Sequence, residues 1–390
     1  MRMHKRITRV GVGAIAIALL IPAGISVPAQ AAADIKIGVI TSTSGGLKSY
    51  GDAYINGLEW GLKHYTGGKM SVNGAKLVLT KKDDGADPAS ATASFKEMVG
   101  NGTKIIVGTA SSGVALTLAP LAAQNKILYI SGPAKNPTIT SSANKYVFRS
   151  GNTSLQDFAP LSHIRPIKGK TVVLFVEDNA FGAGNAYAAR LYLGAKGANL
   201  VDVKVSTTAT DFTPYAKKAA DANADYIFIA WSNALTAAGA ITALKQQGAF
   251  VHARPITGLA GTASYDAYGT LFEGTNAILT NSYFPGVVKT GSSTAIATDY
   301  AAQGISQDLF TSVGVSAAKM ILRALANNND VNIDTAISNL EGFSFTGLKG
   351  QETVRATDHV MVQSMFTVRL VKVGDHYKPQ LIKTLFNVGS

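Results

Sequence analysis

From residue 35 onward the chain repeats one local pattern, a short apolar strand followed by an amphipathic helix. Residues 35–40 are almost all apolar, and Ile55, Leu58, Leu62 and Tyr65 then recur at helical spacing. The same alternation continues as strands at residues 76–80, 104–107 and 127–130 and helices at residues 88–99 and 114–124. Strands that alternate with helices in this way predict an α/β fold built on a doubly wound parallel sheet.

The pattern begins again after a polar break at residues 149–153. It predicts strands at residues 171–176, 200–205 and 225–230 and helices at residues 186–193, 215–221 and 234–247. Ligands of such sheets bind beyond the carboxyl ends of the strands. Two similar halves therefore predict two Rossmann-like lobes that face each other across a ligand cleft.

The first 33 residues have the features of a signal peptide. Basic residues at positions 2, 5, 6 and 9 precede an apolar run at residues 10–21, and Ala29-Gln30-Ala31 fits the small-x-small rule for cleavage. The run is shorter than the roughly 20 residues that a membrane-spanning helix needs. We therefore expect an exported chain that is cleaved after Ala31 or Ala33.

Composition narrows the class of protein further. The chain of 390 residues has no cysteine, so we expect a fold stable without disulfides and a mature protein without a lipid anchor. Its length after the leader exceeds what one core usually supports, which predicts two domains. The formal net charge is +12, but the basic residues are scattered and form no nucleic-acid-binding run. We expect a free, monomeric periplasmic protein.

No motif in the chain indicates catalysis, a metal or a cofactor. The histidines, at positions 4, 64, 163, 252, 359 and 376, lie far apart, and no nucleophile elbow is present. Acidic residues cluster just before Pro88, where Asp87 is best explained as a helix N-cap. We therefore expect no enzyme, and a secreted hydrolase is the less favoured alternative.

Several short motifs occur in an order that resembles a known family. They are residues 35–39, Ser44-Gly45, Tyr50-Gly51-Asp52, residues 82–88, Val107-Gly108, Ser111-Ser112, residues 146–149 and Phe181-Gly182. In these motifs the chain resembles the periplasmic branched-chain amino acid binding proteins, the solute receptors of ABC importers with the type I periplasmic-binding fold. The resemblance extends over essentially the whole chain after the leader.

This resemblance implies an architecture and a function. It implies a first lobe of residues 34–150 and 283–345 and a second lobe of residues 151–282 and 346–390, in which residues 365–373 form the last strand. The lobes would close on a small solute, which the receptor would deliver to a membrane permease. A periplasmic ligand sensor with the same fold remains an alternative.

The first candidate site residues follow strands of the first lobe. Ser111 and Ser112 precede an apolar helix, where a serine is usually a cap, but a helix N-terminus also attracts anions. The resemblance implies that Ser112 contacts a substrate carboxylate and that a carbonyl near Pro133 contacts the ligand. Lys135 stands where the family has threonine. It would either donate to an acidic ligand or be solvated on a polar loop.

The family resemblance assigns the remaining candidates to the walls of the cleft. Tyr50, before the first helix, and Phe181, after a strand, match aromatic positions on opposite walls. Trp231 and Ser232, at the end of a strand, match a tyrosine in the ligand's shell. All three aromatic residues have core packing as the ordinary alternative.

Ala260 is the main departure from the family pattern. Amino-acid-binding relatives have an acidic residue at or beside this position, which pairs with the ligand's ammonium, and a buried ammonium without a partner is costly. Either Asp178 or another distant carboxylate replaces that acid, or the ligand has no amine. Together with Lys135, the missing acid favours a carboxylate ligand such as an aromatic or aliphatic acid. Branched-chain amino acids and amides remain open.

Overall fold

The computed structural model describes residues 33–140, 143–163 and 166–389, together with residues 1 and 3. Most of the predicted leader, including its apolar run, lies outside these residues. None of the helices in the described ranges is both long and apolar enough to cross a membrane.

The first sheet has six strands in the order β2-β3-β1-β4-β5-β6 and is parallel except where β2 pairs with β3. Its strands are β1 (Ile35–Thr41), β2 (Ser71–Val72), β3 (Ala75–Asp83), β4 (Ile105–Gly108), β5 (Leu128–Ser131) and β6 (Val147–Arg149). The helices between them are α1 (Lys48–Tyr65), α2 (Pro88–Gly100) and α3 (Ser112–Asn125). As predicted, Asp87 caps α2, since its side chain accepts the N–H of Ser90 and Pro88 begins the helix.

The second sheet contains a parallel part that repeats this plan. Its parallel strands are β7 (Thr171–Glu177), β8 (Asn199–Val205), β9 (Tyr226–Ala230), β10 (Arg254–Gly258) and β11 (Ile278–Asn281). The helices of this segment are α4 (Ser154–Phe158), α5 (Ala180–Tyr192), α6 (Thr213–Asp221), α7 (Ala237–Gln246) and α8 (Tyr265–Phe272). The predicted strand–helix repeat is confirmed in both halves.

The C-terminal part of the chain adds to both halves. It contains α9 (Gly291–Gln303), α10 (Thr311–Ala324), α11 (Ile333–Leu340), β12 (Ser344–Gly347), β13 (Gly350–Val354), β14 (Met361–Val373) and β15 (His376–Val388). The four strands extend the second sheet by antiparallel pairing, with β14 beside β11 and β15 beside β14. Helix α10 packs on α1 so closely that a Cβ on Gly57 would lie 2.1 Å from the Thr311 carbonyl oxygen.

The two halves have separate cores. Phe345, Val354 and Met361 pack in the core beneath the first sheet, whereas Phe366 and Val368 pack in the core of the second. The chain therefore passes from one core to the other between Met361 and Phe366 of β14.

Two helices begin earlier than the sequence analysis placed them. Tyr50 was expected before the first helix but lies in the first turn of α1, and Phe181 lies in the first turn of α5 rather than in a loop. Asn179 explains the second case, because its side chain caps α5 by accepting the N–H of Gly182 at 2.9 Å.

Candidate functional site

A cavity lies where the carboxyl ends of the two sheets face each other. Its walls come from segments that follow β1, β4 and β5 on one side and β7, β9 and β10 on the other. The cavity volume is about 80 Å³, and on the same scale one water molecule needs only about 10–15 Å³. The cavity therefore has room for a small solute with the bulk of several water molecules.

Most of the cavity wall is apolar, and aromatic rings are prominent in it. The aromatic residues that line it are Tyr50, Phe181, Phe228, Trp231, Tyr268 and Phe310. Trp231 stacks on Phe175 at 5.8 Å between ring centroids, and its Nε1 donates to Thr236 Oγ1 at 3.0 Å. Tyr50 meets Phe310 edge-on at 5.2 Å. Neighbouring side chains therefore hold these rings in place around the cavity.

One ion pair lies in this apolar wall. Lys135 Nζ is 3.2 Å from Asp157 Oδ2 and 3.4 Å from Oδ1, and both side chains are 10% exposed. Asn152 Nδ2 also donates to Asp157 Oδ1, at 2.8 Å. Burial raises the pKa of the Asp157 carboxyl, while Lys135 and Asn152 act in the opposite direction. Among the described residues that line the cavity, Asp157 is the sole carboxylate and Lys135 the sole cation.

Buried hydrogen bonds fix the loop that carries Lys135. The Arg149 guanidinium, which is fully buried, donates to the carbonyl of Ala134 at 2.6 Å and to that of Asn136 at 2.8 Å. Ser154 donates its backbone N–H to the Lys135 carbonyl at 2.8 Å. Burial lowers the pKa of Arg149 to about 10, so the guanidinium remains a cation at neutral pH. The backbone on both sides of Lys135 is thus held by hydrogen bonds to neighbouring segments.

A second cavity adjoins the first at the start of α3. Both are lined by Leu47, Ala110, Phe181 and Ser232, and the second is also lined by Ser111 and Ser112. Ser111 is the N-cap of α3, and its side chain accepts the N–H of Val114 at 3.4 Å. Ser112 is buried, and its hydroxyl oxygen accepts the N–H of Asn136 at 3.3 Å. The positive end of α3 therefore points into the space between the sheets.

The two walls touch beside the cavity. Asn136 Nδ2 donates to the Ala180 carbonyl at 2.7 Å, which joins the Lys135 loop to the start of α5. On the other side, Thr262 N donates to Asp308 Oδ1 at 2.8 Å. Burial raises the pKa of this Asp308 carboxyl, and the backbone N–H donors of Thr262 and Leu309 oppose that rise. The structure thus presents the two walls in contact.

Seven of the nine candidate site residues line the central cavity, and the other two line the adjoining one. The seven are Tyr50, Pro133, Lys135, Phe181, Trp231, Ser232 and Ala260; the two are Ser111 and Ser112. Their role in ligand binding remains a prediction. Of the two alternatives for Lys135, the solvated lysine on a polar loop is wrong, because its ammonium is buried against Asp157.

Asp308, on the opposite wall, contacts the loop around Ala260. Asp308 accepts the N–H of Thr262, and a Cβ on Gly261 would lie 3.0 Å from Asp308 Oδ2. Asp178 does not replace the missing acid. Its side chain is 64% exposed, lies 3.9 Å from Lys204 Nζ and does not line the cavity.

Comparison with known proteins identifies the family to which this architecture belongs. The family model described as a periplasmic binding protein matches residues 34–375, which is most of the chain. The chain belongs to the periplasmic binding protein family. Its two sheets with a cavity between them fit that membership, and the resemblance inferred from the sequence is confirmed.

Individual relatives are a little over a quarter identical to this periplasmic binding protein over the residues that match. A Leu/Ile/Val-binding protein homologue from Brucella melitensis is 28% identical over 211 residues, 53% of this chain and 56% of the relative. The chain thus matches only about half the length of such curated relatives. The crystal structure of an ABC-type branched-chain amino acid transporter protein from Rhodopseudomonas palustris is 27% identical, with a TM-score of 0.73, and the match covers 91% of this chain and 97% of that one.

A more distant structure agrees in fold. The solute-binding protein of an ABC transporter from Rhodopseudomonas palustris HaA2, solved with p-hydroxybenzoic acid, has a TM-score of 0.82 at 19% identity. The match covers 91% of this chain and 98% of that one.

The sequence analysis of this periplasmic binding protein missed several residues of the cavity. Asp157, Tyr268 and Phe310 line it and were not predicted. Asp157 had a local signal, because Thr153 and Gln156 form a capping box that begins α4 and places the aspartate in its first turn. In the ranges that the structure describes, no group of three or more His, Asp or Glu side chains is placed to hold a metal ion.

Proposed function

We propose that the mature chain is the periplasmic solute receptor of an ABC importer. It captures a small solute that has a carboxylate and an apolar body, encloses it between two lobes and delivers it to a membrane permease. The observation that carries this proposal is the small cavity between the two sheets, with walls of aromatic rings and a single ion pair. The family to which the chain belongs supports the same function.

The lobes of this proposal are residues 34–150 with 283–345 and residues 151–282 with 346–390. Phe345 and Val354 of the hairpin β12–β13 pack in the core of the first sheet, while β13 pairs with β14 of the second sheet, so the hairpin contacts both lobes. Each wall of the cavity belongs to one lobe, and release of the solute requires the walls to separate. The receptor acts as a monomer without a cofactor and catalyses no reaction.

The chemistry of the walls supports this class of solute. The rings of Tyr50, Phe181 and Trp231 can cover an apolar chain or an aromatic ring. Lys135 and the N-terminal end of α3 are the groups in the two cavities that favour an anion. Aliphatic and aromatic carboxylic acids fit this combination, and the relatives named for leucine, isoleucine and valine make branched-chain amino acids the second group to test.

Thermal-shift screening tests the function. The purified mature protein is heated with each member of a panel of aliphatic and aromatic acids, amides and amino acids. A solute present at 100 times its dissociation constant adds about 2.7 kcal/mol to the free energy of unfolding, so a true ligand raises the melting temperature by several degrees. If no solute shifts the melting curve while some substrate is turned over, the receptor function is wrong.

Replacing Trp231 with alanine should weaken binding of the best solute from that panel about 10- to 150-fold. A buried aromatic side chain contributes about 1.5–3 kcal/mol, and Trp231 supplies part of the cavity wall. Isothermal titration calorimetry measures the change. Trp60, which donates to Asp299 at 2.8 Å and does not line the cavity, is the matched control, and Trp60→Phe should leave affinity unchanged. Equal effects of the two variants would place the solute elsewhere.

A further inference from the structure

Building on the proposed function, we infer that the Lys135–Asp157 pair selects the class of ligand. Lys135 occupies the place beside Asp157 that the ammonium of an amino acid would need, so the cavity rejects α-amino acids and accepts the corresponding acids without the amine. The pair therefore acts as a specificity determinant of this receptor.

Asp157 is the carboxylate that a ligand ammonium would meet in the central cavity. Among the described residues that line the cavity, Asp157 is the one carboxylate, and the Lys135 ammonium already lies 3.2 Å from its Oδ2. Glu177 lines the adjoining cavity, and its oxygens already accept the N–H groups of Ser232 and Asn233 and the Ser232 hydroxyl. In the central cavity, an incoming ammonium would have to displace Lys135 Nζ from Asp157. That would leave a lysine that is 8% exposed without its anion, and unpaired buried charges are strongly disfavoured.

Lys135 retains a hydrogen-bond donor for a solute carboxylate. Its distances to the Asp157 oxygens, 3.2 and 3.4 Å, exceed the 2.7–2.9 Å that is typical of charge-assisted hydrogen bonds. An ammonium has three N–H donors, and Asp157 has two oxygens to receive them. A solute carboxylate can take the remaining donor without breaking the pair.

Hydrogen bonds from neighbouring segments hold the Lys135 loop and the Asp157 carboxylate. The Arg149 guanidinium holds the carbonyls on both sides of Lys135, and Ser154 holds the carbonyl of Lys135 itself. Asn152, in the crossover after β6, donates its Nδ2 to Asp157 Oδ1 at 2.8 Å. The backbone that carries Lys135 and the carboxylate of Asp157 are therefore each held in place, which keeps the Lys135 ammonium within reach of Asp157.

Calorimetric titration of matched solutes tests the inference. The two pairs are 4-methylpentanoate with L-leucine and 3-phenylpropanoate with L-phenylalanine, whose members differ by the α-amine. Wild-type protein should bind the amine-free acid at least tenfold more tightly in one pair or both. In Lys135→Thr, Asp157 is left without its cation, and this ratio should fall at least tenfold or reverse.

The control is Lys145→Thr, which removes a lysine in the same half of the chain. Lys145 pairs with Asp334 at 2.8 Å, is 54% exposed and lies outside both cavities, so the ratio should not change. If Lys135→Thr does not fold by circular dichroism, Asp157→Asn takes its place. That variant frees the ammonium and should bind the amine-free acids at least threefold more tightly than wild type does.

The outcomes separate this inference from the proposed function. Wild-type preference for the amino acid of either pair, or an unchanged ratio in Lys135→Thr, overturns the inference and leaves a solute receptor. Unchanged acid affinity in Asp157→Asn overturns it as well. If wild type binds no member of either pair, the inference also fails, and the wider thermal-shift panel then decides whether the receptor function stands.

Discussion

A Gly184→Leu variant should lose about 10- to 100-fold in affinity for the receptor's solute. Gly184 lies in α5 against the Lys135 loop, and a Cβ at this position would lie 2.9 Å from Asn136 Nδ2 and 3.1 Å from Asn136 Cα. One of these atoms is backbone, so the loop cannot avoid the larger side chain by a rotamer change alone. Overpacking typically costs 1–3 kcal/mol. Here it destabilises the arrangement in which the two walls touch relative to one in which they are apart, so solute binding to the closed arrangement is weakened.

Calorimetry with the best solute of the panel measures this loss, and circular dichroism confirms that the variant folds. Leucine favours a helix over glycine by nearly 1 kcal/mol, so α5 itself should not be weakened. The control is Gly100→Leu, at the last residue of α2, where an added Cβ meets nothing within 4 Å. Wild-type affinity in Gly184→Leu would show that solute capture does not need the α5 wall to rest on the Lys135 loop.

The sequence predicted the layered α/β plan well because that plan depends on local patterns. The apolar run that begins at Ile35 and the helical spacing from Ile55 to Tyr65 each lie within one element, so neither needs knowledge of the tertiary fold. Trp231 and Ser232 were placed at a strand end for the same reason, and β9 does end one residue earlier, at Ala230.

The chemistry of the site depends on contacts that the sequence does not display. Solvation on a polar loop remained an alternative for Lys135 because its partner lies 22 positions away, beyond the crossover that follows β6. Phe310 reaches the cavity through the return of α10 to the first sheet, and Asp308 meets the Ala260 loop by the same route. Burial of a charged residue is a tertiary property, so composition and periodicity could not predict it.

A Lys349→Met variant should lower the free energy of unfolding by about 3–5 kcal/mol. Lys349 Nζ lies 2.8 Å from Glu352 Oε2, and the side chains of both residues are 0% exposed. Lys349 also donates to Gln363 Oε1 at 2.7 Å, and Ser316 Oγ donates to Glu352 Oε2 at 2.7 Å. Removing the lysine leaves a carboxylate in the interior without its cation, and an uncompensated buried charge strongly destabilises the folded protein. Urea unfolding followed by circular dichroism at neutral pH measures the loss.

The matched control and the double variant identify the cause of that loss. Lys217→Met removes a cation from an exposed pair with Asp221, at 64% and 63% exposure, and should cost less than about 1 kcal/mol. Lys349→Met combined with Glu352→Leu removes both charges and should recover most of the stability, because two apolar groups need no counter-ion. A loss below about 1 kcal/mol in Lys349→Met would contradict the assignment. Since this pair ties the turn after β12 to α10 and to β14, where the chain passes between the two cores, its stability also bears on how firmly the lobes are joined.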